Sequence, residues 1–192
     1  MTGVYIKITA ILGSPHKNGN TALLLSAYLS GVLDAHPDAV IKNVILADLN
    51  IAPCNACNAC KNADDSKCIL EDDMSLLYVC VEKSDVLIFA TPIYWWNMTA
   101  QMKTYIDRLY AMKYDKRVLK NKKIVFLTTF GAPDFESSGA NIVKQSLQRI
   151  ASFTGMGFIH SYGVTSQPEN NPAFQKALIE VFDLGKSLII NY

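Results

Sequence analysis

Three stretches of the chain are apolar at almost every position: Val4–Leu12, Asp85–Ala90 and Lys122–Phe130. A strand in the middle of a parallel sheet is covered on both faces, so it reads as a continuous apolar run rather than an alternation. We therefore predict that these stretches are buried strands. Two weaker runs, Val40–Leu46 and Gly157–Val164, complete a set of five predicted strands.

Helical patterns lie between these runs. Apolar residues recur at helical spacing in Asn20–Leu33, in Asn97–Met112 behind an Asn cap, and in Ala140–Phe153. The last predicted helix has Asn171 as its cap and Pro172 in its first turn, and it runs to about residue 190. With a further helix that carries Cys80, the sequence predicts an alternation of five strands and five helices.

This alternation indicates an α/β fold in which right-handed crossovers join the strands of a parallel sheet. Five strands in a short chain favour a flavodoxin-like doubly wound sandwich, with strand order 2-1-3-4-5 and helices on both faces. The length of 192 residues suits a single domain, residues 1–192. The one irregularity is the connection 47–73, a cysteine-rich insertion far longer than a typical crossover loop.

Composition narrows the choice of partners. Half of the residues are hydrophobic and the net charge is +1 without basic clusters, so nothing favours nucleic acid or an anionic membrane as a partner. The N-terminal residues lack signal-peptide features, and no apolar run approaches the ~20 residues of a membrane span. The five cysteines are odd in number, which argues against a secreted disulfide framework. We expect a soluble, cytoplasmic protein.

The first β-to-α junction is rich in hydrogen-bond donors. Ser14, Asn18, Asn20 and Thr21 lie in the loop 13–21, directly before or within the start of a predicted helix. A helix N-terminus offers free backbone N–H groups and a positive dipole end, so this loop predicts a phosphate site. Its spacing fits neither a P-loop nor a dinucleotide fingerprint. An ordinary polar turn with a good helix cap is the alternative.

Two further loops are predicted to reach the same sheet edge. Tyr94, Trp95 and Trp96 follow the third strand behind Pro92, and Gly131 follows the fourth strand. An aromatic cluster in a polar-rimmed crevice suits a flat, partly apolar ring, although aromatics at strand ends also serve as core. A phosphate pocket beside a flat-ring pocket describes flavin mononucleotide (FMN).

The insertion holds four cysteines at compact spacing: Cys54-x2-Cys57-x2-Cys60-x7-Cys68. This spacing lets three thiolates converge on one inorganic core while a fourth completes the ligation of a [4Fe–4S] cluster. Zinc is less natural, because structural zinc usually uses two separated Cys-x2-Cys pairs. Structural or adventitious thiols and a redox-active dithiol are the other interpretations. The fifth cysteine, Cys80, is predicted to fill core from a helix.

Three segments carry a family resemblance: the Gly-Ser-Pro…Gly-Asn-Thr loop, the Thr-Pro-Ile-Tyr-Trp segment, and Lys103 with the following Ile-Asp-Arg. Together they resemble the NADPH-dependent FMN reductase and flavodoxin-like oxidoreductase family over most of residues 4–131. The cysteine loop is similar to that of the iron–sulfur flavoproteins in the same superfamily.

The resemblance implies which residues contact FMN. The phosphate would be held by Ser14, Asn18, Asn20 and Thr21, and the ring would be lined by Pro92, Ile93, Tyr94, Trp95, Thr129, Phe130 and Gly131. His16 belongs to the phosphate set, but it stands where the family usually carries Arg. The charge at the phosphate is then left to Lys17 or to backbone donors. For Lys103, Asp107 and Arg108 we expect a surface ion pair or a helix anchor.

The implied activity is an FMN-dependent oxidoreductase that passes electrons from NAD(P)H through FMN to a small acceptor, such as a quinone, an azo or nitro compound, or a flavin. No catalytic side chain is required, because the flavin carries the chemistry. A homodimer or homotetramer is implied as well. The alternative is an iron–sulfur flavoprotein that carries electrons with a [4Fe–4S] cluster on Cys54, Cys57, Cys60 and Cys68. A thiol or metal sensor is a third, non-enzymatic interpretation.

Overall fold

The computed structural model describes residues 5–62, 68–114 and 116–189. The strands are β1 Lys7–Leu12, β2 Val40–Ile45, β3 Val86–Tyr94, β4 Asn97–Met98, β5 Lys123–Phe130 and β6 Gly157–Thr165. The helices are α1 Asn20–Ala35, α2 Ala59–Asn62, α3 Met74–Lys83, α4 Ala100–Arg108, α5 Lys116–Leu119, α6 Ala140–Thr154 and α7 Pro172–Lys186. Two short 3-10 helices cover Leu46–Asp48 and Leu109–Tyr114.

Five parallel strands form the sheet in the order β2-β1-β3-β5-β6, and the short β4 pairs with β3 in antiparallel fashion. If β4 is left aside, this is the order 2-1-3-4-5, so the prediction of a doubly wound flavodoxin-like sheet is confirmed. The strand order reverses between β1 and β3, and ligands of such sheets bind beyond the carboxyl ends of the strands at this point.

Each central strand divides its side chains between two apolar layers. Along β3, Leu87 and Phe89 face one layer, while Ile88 and Ala90 face the other. Helices α3, α4 and α6 cover the first layer, and α1 and α7 cover the second. Burial on both faces is why the central strands read as continuous apolar runs in the sequence.

Helices α1 and α7 pack closely because glycines lie where they meet. A Cβ atom on Gly31 would lie 1.9 Å from the Phe182 carbonyl oxygen, and one on Gly185 would lie 2.2 Å from the Tyr28 carbonyl oxygen. No side chain fits at either position without moving a backbone. This contact fixes the C-terminal half of α1 against α7.

One predicted helix begins later than expected. The sequence places its cap at Asn97, but Asn97 lies in β4 and pairs with Tyr94, and α4 begins at Ala100. The cap is Thr99, whose side chain accepts a hydrogen bond from the Met102 backbone N–H at 3.3 Å. The predicted cap was wrong because Asn97 belongs to a tight hairpin. Helical periodicity does not indicate such a turn.

The other element bounds differ little from the predictions. Asn171 caps α7 as predicted, since its side chain accepts hydrogen bonds from the backbone N–H groups of Ala173 and Phe174. Val4 and the last three residues of the chain lie outside the described part. No helix in the described part is long and apolar enough to cross a membrane.

Candidate functional site

The loop after β1 is tied down at its base. The Gly13 N–H donates to the Ala90 carbonyl at 2.8 Å, and a Cβ on Gly13 would lie 3.0 Å from the Met102 side chain. The next residue, Ser14, is buried, and its hydroxyl accepts a hydrogen bond from the His16 backbone N–H at 3.1 Å. The backbone therefore turns sharply between two buried anchors before it reaches the exposed residues 15–18.

Helix α1 then begins without a side-chain cap. Its N-cap residue is Gly19, whose carbonyl accepts from Ala22 and Leu23. Among the described residues, no acceptor lies within hydrogen-bond distance of the backbone N–H of Asn20 or Thr21. These two donors point out of the helix N-terminus and remain available to an anionic group.

Some of the predicted phosphate donors already have partners in the protein. The Asn20 side chain donates to the Gln167 carbonyl at 2.8 Å, and the hydroxyls of Thr21 and Thr129 share a hydrogen bond of 2.7 Å. His16 and Asn18 are exposed, and Lys17 forms an ion pair with Asp48 at 2.5 Å. These contacts fix the loop to the ends of β5 and β6 and to the helical turn after β2.

Buried threonines join the loops after β1 and β3. The Thr99 hydroxyl donates to the Gly13 carbonyl at 2.8 Å, and the Thr99 backbone N–H donates to the Thr91 hydroxyl at 3.2 Å. The Thr128 hydroxyl donates to the Thr91 carbonyl at 2.8 Å. Sequence reasoning did not single out these residues. The signal available was a hydroxyl residue at the end of each of two adjacent buried strands.

The aromatic segment forms a tight hairpin between β3 and β4. Trp95 and Trp96 are its two central residues and have φ values of 49° and 62°. Positive φ at both central positions is the pattern of a type I′ turn, which usually uses Asn or Gly, so two tryptophans there are strained. Trp95 is 89% exposed, and Tyr94 and Trp96 are exposed as well. The alternative that these rings fill the core therefore does not hold.

The hairpin is fastened to the start of α6. The Trp96 indole N–H donates to the Ser137 carbonyl at 3.2 Å, and the two indole rings meet edge to face with centroids 5.4 Å apart. Gly139 has φ 87°, and a Cβ atom there would lie 2.4 Å from the Trp96 carbonyl oxygen. Only glycine combines this conformation with such a close approach. The sequence analysis did not include Ser137 or Gly139.

The remaining predicted ring contacts differ in exposure. Pro92 is buried within β3 beside Thr129 of β5, and Ile93 is half-buried. Phe130 is buried and packs edge to face on Phe135. Gly131 is exposed, and a Cβ on it would meet nothing within 4 Å, so its backbone is open to close approach.

The cysteine loop has a different character. Cys54 and Cys57 are exposed, whereas Cys60 and Cys68 are half-buried. Burial, and then the charges of Cys68, Cys54 and Cys57, raise the pKa of the Cys60 thiol. The four thiols therefore share one electrostatic neighbourhood. Residues 63–67 of the predicted insertion lie outside the described part of the chain.

The donor set has the chemistry of a four-thiolate site, but the thiols have not converged. Across residues 5–62, 68–114 and 116–189, no group of three or more His, Cys, Asp or Glu side chains is placed to hold a metal ion. Ala56 and Asn58, between the first three cysteines, have φ values of 56° and 61°. Left-handed residues alternating along a loop turn successive N–H groups inward, as at many iron–sulfur sites.

A cavity of about 330 Å³ lies between α4 and α6, and Cys54 forms part of its wall. Its other lining is mainly apolar, with Phe89, Leu147 and Met156 among the buried residues. It contains none of the residues predicted to contact FMN. The cavity therefore belongs to the surroundings of the cysteine loop.

Known proteins share the sequence and the fold of this chain. The family described as having a flavodoxin-like fold matches residues 6–183. The chain belongs to this family. It is 37% identical over 157 residues to an iron–sulfur flavoprotein of Archaeoglobus fulgidus, a match that covers 80% of this chain and 69% of the relative.

Two further similarities within the flavodoxin-like family are informative. A Bacillus subtilis protein described as a putative NAD(P)H-dependent FMN-containing oxidoreductase, YwqN, is 27% identical over 158 residues, with 80% of this chain and 81% of that protein covered. The solved structure of an NAD(P)H:quinone oxidoreductase from Methanothermobacter marburgensis superimposes with a TM-score of 0.75 at 15% identity. That match covers 97% of this chain and 100% of the other. At this identity the likeness shows the fold alone.

In this flavodoxin-like chain, the predicted charged helix face divides in two. Lys103 and Asp107 form an exposed ion pair at 2.6 Å, as expected. Arg108 is not part of it: its side chain is 1% exposed and forms an ion pair with Asp72, which is 7% exposed. Of the two expectations for these residues, Arg108 fits the helix anchor and not the surface ion pair, because a single helical step turns its side chain from the solvent to the buried face.

Burial alone would raise the pKa of the Asp72 carboxyl, but hydrogen bonds from Arg108, Ala52 and Met74 outweigh it and hold the pKa below its usual value. The acidic residues after the last cysteine of the loop thus include a buried, ionised group. Cys80 lies on α3 as predicted, but it is half-buried rather than fully in the core.

Proposed function

We propose that this chain is an FMN-dependent oxidoreductase that passes electrons from NAD(P)H through bound FMN to a small acceptor. The observation that carries the proposal is the meeting of three loops, those after β1, β3 and β5, at the point where the strand order reverses. Hydrogen bonds of Thr99 to Gly13 and of Thr21 to Thr129 join them. The description of YwqN as an FMN-containing oxidoreductase supports the same activity.

The phosphate of FMN is proposed to bind at the start of α1. The free backbone N–H groups of Asn20 and Thr21 would donate to it, and Ser14, Asn18 and His16 surround the same turn. Lys17 already faces Asp48, so the positive end of the helix provides the principal electrostatic attraction. This arrangement compensates for the lack of Arg at the position of His16.

The ring is proposed to bind beside the aromatic hairpin. Tyr94 and Trp95 offer exposed aromatic surface, and the exposed backbone at Gly131 allows close approach from the β5 side. The strained turn and its attachment to Gly139 hold the indoles in fixed positions, so little order has to be created when a flat ring binds. Stacking and exclusion of water are the roles we assign to these residues.

When bound, FMN would supply the ring that accepts and delivers electrons, so no acid–base side chain is required. The chain contributes orientation, backbone hydrogen bonds to the cofactor and a crevice that limits access of water.

We also propose a homodimer or homotetramer in the cytoplasm. Trp95 is 89% exposed, and Trp96 and Ile142 on the neighbouring start of α6 are more than half exposed. Aromatic and aliphatic surface of this kind is commonly covered by a partner subunit. Sedimentation of the flavin-loaded protein tests this: a strict monomer would contradict it.

The test of the activity is direct. Protein purified without air should carry the absorbance of bound flavin or take up added FMN, and NAD(P)H should bleach that absorbance until an acceptor restores it. A protein that has no flavin and does not bind added FMN would overturn the proposal. A matched variant is Asn18→Ala, which removes only one exposed donor and should bind FMN less tightly.

A second candidate, an iron–sulfur flavoprotein, is favoured by one observation: Cys54, Cys57, Cys60 and Cys68 lie in one loop whose two ends are joined by hydrogen bonds such as that of the Asn50 N–H to Asp73. The name of the Archaeoglobus relative agrees with it. These four residues would be the ligands of a [4Fe–4S] cluster. Since the thiols have not converged on a metal position, we derive no electron-transfer step through them. Iron and acid-labile sulfide in protein purified without air, near four of each per chain, would support this candidate.

A further inference from the structure

The two ends of the cysteine loop meet at one buried guanidinium. Arg108 Nη1 donates to the Ala52 carbonyl at 2.7 Å and to Asp72 Oδ2 at 2.5 Å, and Nη2 donates to Asp72 Oδ1 at 3.1 Å. A longer contact of 3.5 Å joins Nη2 to the Leu70 carbonyl. The planar guanidinium is suited to donate several hydrogen bonds at once in fixed directions, whereas the ammonium of lysine is a single point charge.

Asp72 completes the closure from the other side. Its Oδ2 accepts from the Ala52 backbone N–H at 2.9 Å and its Oδ1 accepts from the Met74 N–H at 3.0 Å. Beside it, Asp73 Oδ2 accepts from the Asn50 N–H at 2.7 Å, and the Asp73 N–H donates to the Asn50 carbonyl at 3.2 Å. The segments that enter and leave the loop are therefore held against each other outside the cysteine-containing part.

We propose that Arg108 and Asp72 are positioning residues for the cysteine loop: they close its base so that Cys54, Cys57, Cys60 and Cys68 are held near one another. This inference rests on the proposed thiolate site. It assigns no ligand role to either residue.

The distances along the chain explain why closure at the base acts on the thiols. Cys54 is two residues from Ala52, and Cys68 is two residues from Leu70. Since two residues of extended chain span at most about 7 Å, both cysteines are confined near the guanidinium.

Beyond this base, the segment that carries Cys54 and Cys57 is shaped by local hydrogen bonds. Between Cys54 and Ala59, the hydrogen bonds found in the described residues are local, from the Cys57 N–H to Asn55 and from Asn58 to the Ala56 carbonyl. Such short-range bonds shape the backbone but tie it to no other element. The effective concentration of the four thiols therefore depends on the base.

Helix α4 supplies a matched control. Lys103 and Asp107 form an ion pair on the same helix, but it is about half exposed and forms no hydrogen bond to residues 47–62 or 68–73 of the loop. Lys103→Met removes one charge from this helix, as an Arg108 variant does, without touching the base of the loop.

The experiment uses Cd²⁺ as a thiolate probe, added without air to iron-free, reduced protein and followed by thiolate-to-metal absorbance. Two variants are compared with the unaltered chain. Arg108→Lys keeps the charge but loses the fork, and Arg108→Met combined with Asp72→Asn removes both charges so that neither is left buried alone. We expect both to bind Cd²⁺ about 10–100-fold more weakly, as for residues that orient metal ligands. Lys103→Met should bind as the unaltered chain does.

Two further measurements separate a folding defect from a loss of loop closure. FMN binding and thermal unfolding report whether each variant is folded, and protease cleavage between residues 53 and 70 reports loop closure without any metal. Equal Cd²⁺ affinity and equal cleavage rates in all four proteins would overturn the proposal. Absence of iron and sulfide from the unaltered protein would remove the iron–sulfur candidate, whereas faster cleavage in the Arg108 variants would still support closure by Arg108 and Asp72.

Discussion

The two chemistry-bearing regions of this chain are built in opposite ways. The nucleotide edge, meaning the loops 13–21, 91–98 and 128–133, is fixed by strand ends and by buried hydroxyls such as Thr21 and Thr99. The cysteine loop, residues 47–73, exposes Cys54 and Cys57 and depends on a buried ion pair at its base. The register of the sheet thus brings the loops of the first site together. The second site depends on one ion pair between helix α4 and the base of the cysteine loop.

The largest expected effect comes from breaking the base of the cysteine loop alone. Arg108→Met leaves the Asp72 carboxylate buried without its partner, and removing one member of a buried pair costs about 3–5 kcal/mol. Chemical denaturation should show this loss, while Lys103→Met changes the free energy of unfolding by less than about 1 kcal/mol. Equal effects of the two variants would mean that the buried pair is no more important than the surface pair.

A substitution in the aromatic hairpin tests the nucleotide edge without unfolding the protein. Trp95→Gly removes an exposed ring and relieves a positive φ, so we expect a gain of about 1 kcal/mol in stability. Loss of one stacking ring should weaken FMN binding about tenfold, measured by fluorescence titration. Trp95→Phe, which keeps a ring on the same backbone, is the control. Unchanged FMN affinity in the glycine variant would place Trp95 outside the ring pocket.

A smaller effect is expected where two loops meet. Thr21→Val leaves the buried Thr129 hydroxyl without its 2.7 Å partner, which costs about 1–2 kcal/mol of unfolding free energy. Replacing both by valine should recover most of it, because neither hydroxyl is then unpaired. Denaturation of the two single variants and the double variant measures this coupling. Additive effects would show that the hydrogen bond does not join the loops.

The smallest expected effect is a difference between the two regions in their response to acid. Because the folded pKa of Asp72 lies below its unfolded value, its contribution to stability is present above the usual carboxyl pKa of about 3.9 and is lost as pH falls through the folded pKa. The threonine contacts of the nucleotide edge do not titrate. Protection from hydrogen exchange, taken relative to the intrinsic exchange rate at each pH, should therefore be lost first at residues 50–73. Simultaneous loss of protection in both regions would contradict the comparison.

The strands and the turn that leads into α1 could be predicted from the sequence because their signals are local. An apolar run reports burial on both faces, and a donor-rich turn before a helical pattern reports a helix N-terminus. The hairpin at Trp95 and Trp96 could not be predicted, since no local sequence pattern indicates a type I′ turn made of tryptophans. Its cause is tertiary: Gly139 and Ser137, more than forty residues later, hold Trp96 in place.

Arg108 shows the same limit within one helix. Residues 103, 107 and 108 read as one charged helix face, yet only the first two meet solvent. A one-residue step turns a side chain by about 100° around a helix, so neighbours in sequence can face opposite environments. The partner, Asp72, lies 36 residues away in sequence, and no spacing rule connects the two.

The sequence by itself determined the α/β class, the order of elements, the donor-rich turn before α1 and the concentration of four thiols in one long insertion. Periodicity and short-range donor patterns are sufficient for these, because they follow from backbone geometry. The tertiary structure decided which donors stay free at the start of α1, which aromatic rings face solvent, and which charge is buried beneath the cysteines. Those outcomes depend on contacts between residues distant in sequence, and such contacts exist only once the sheet has assembled.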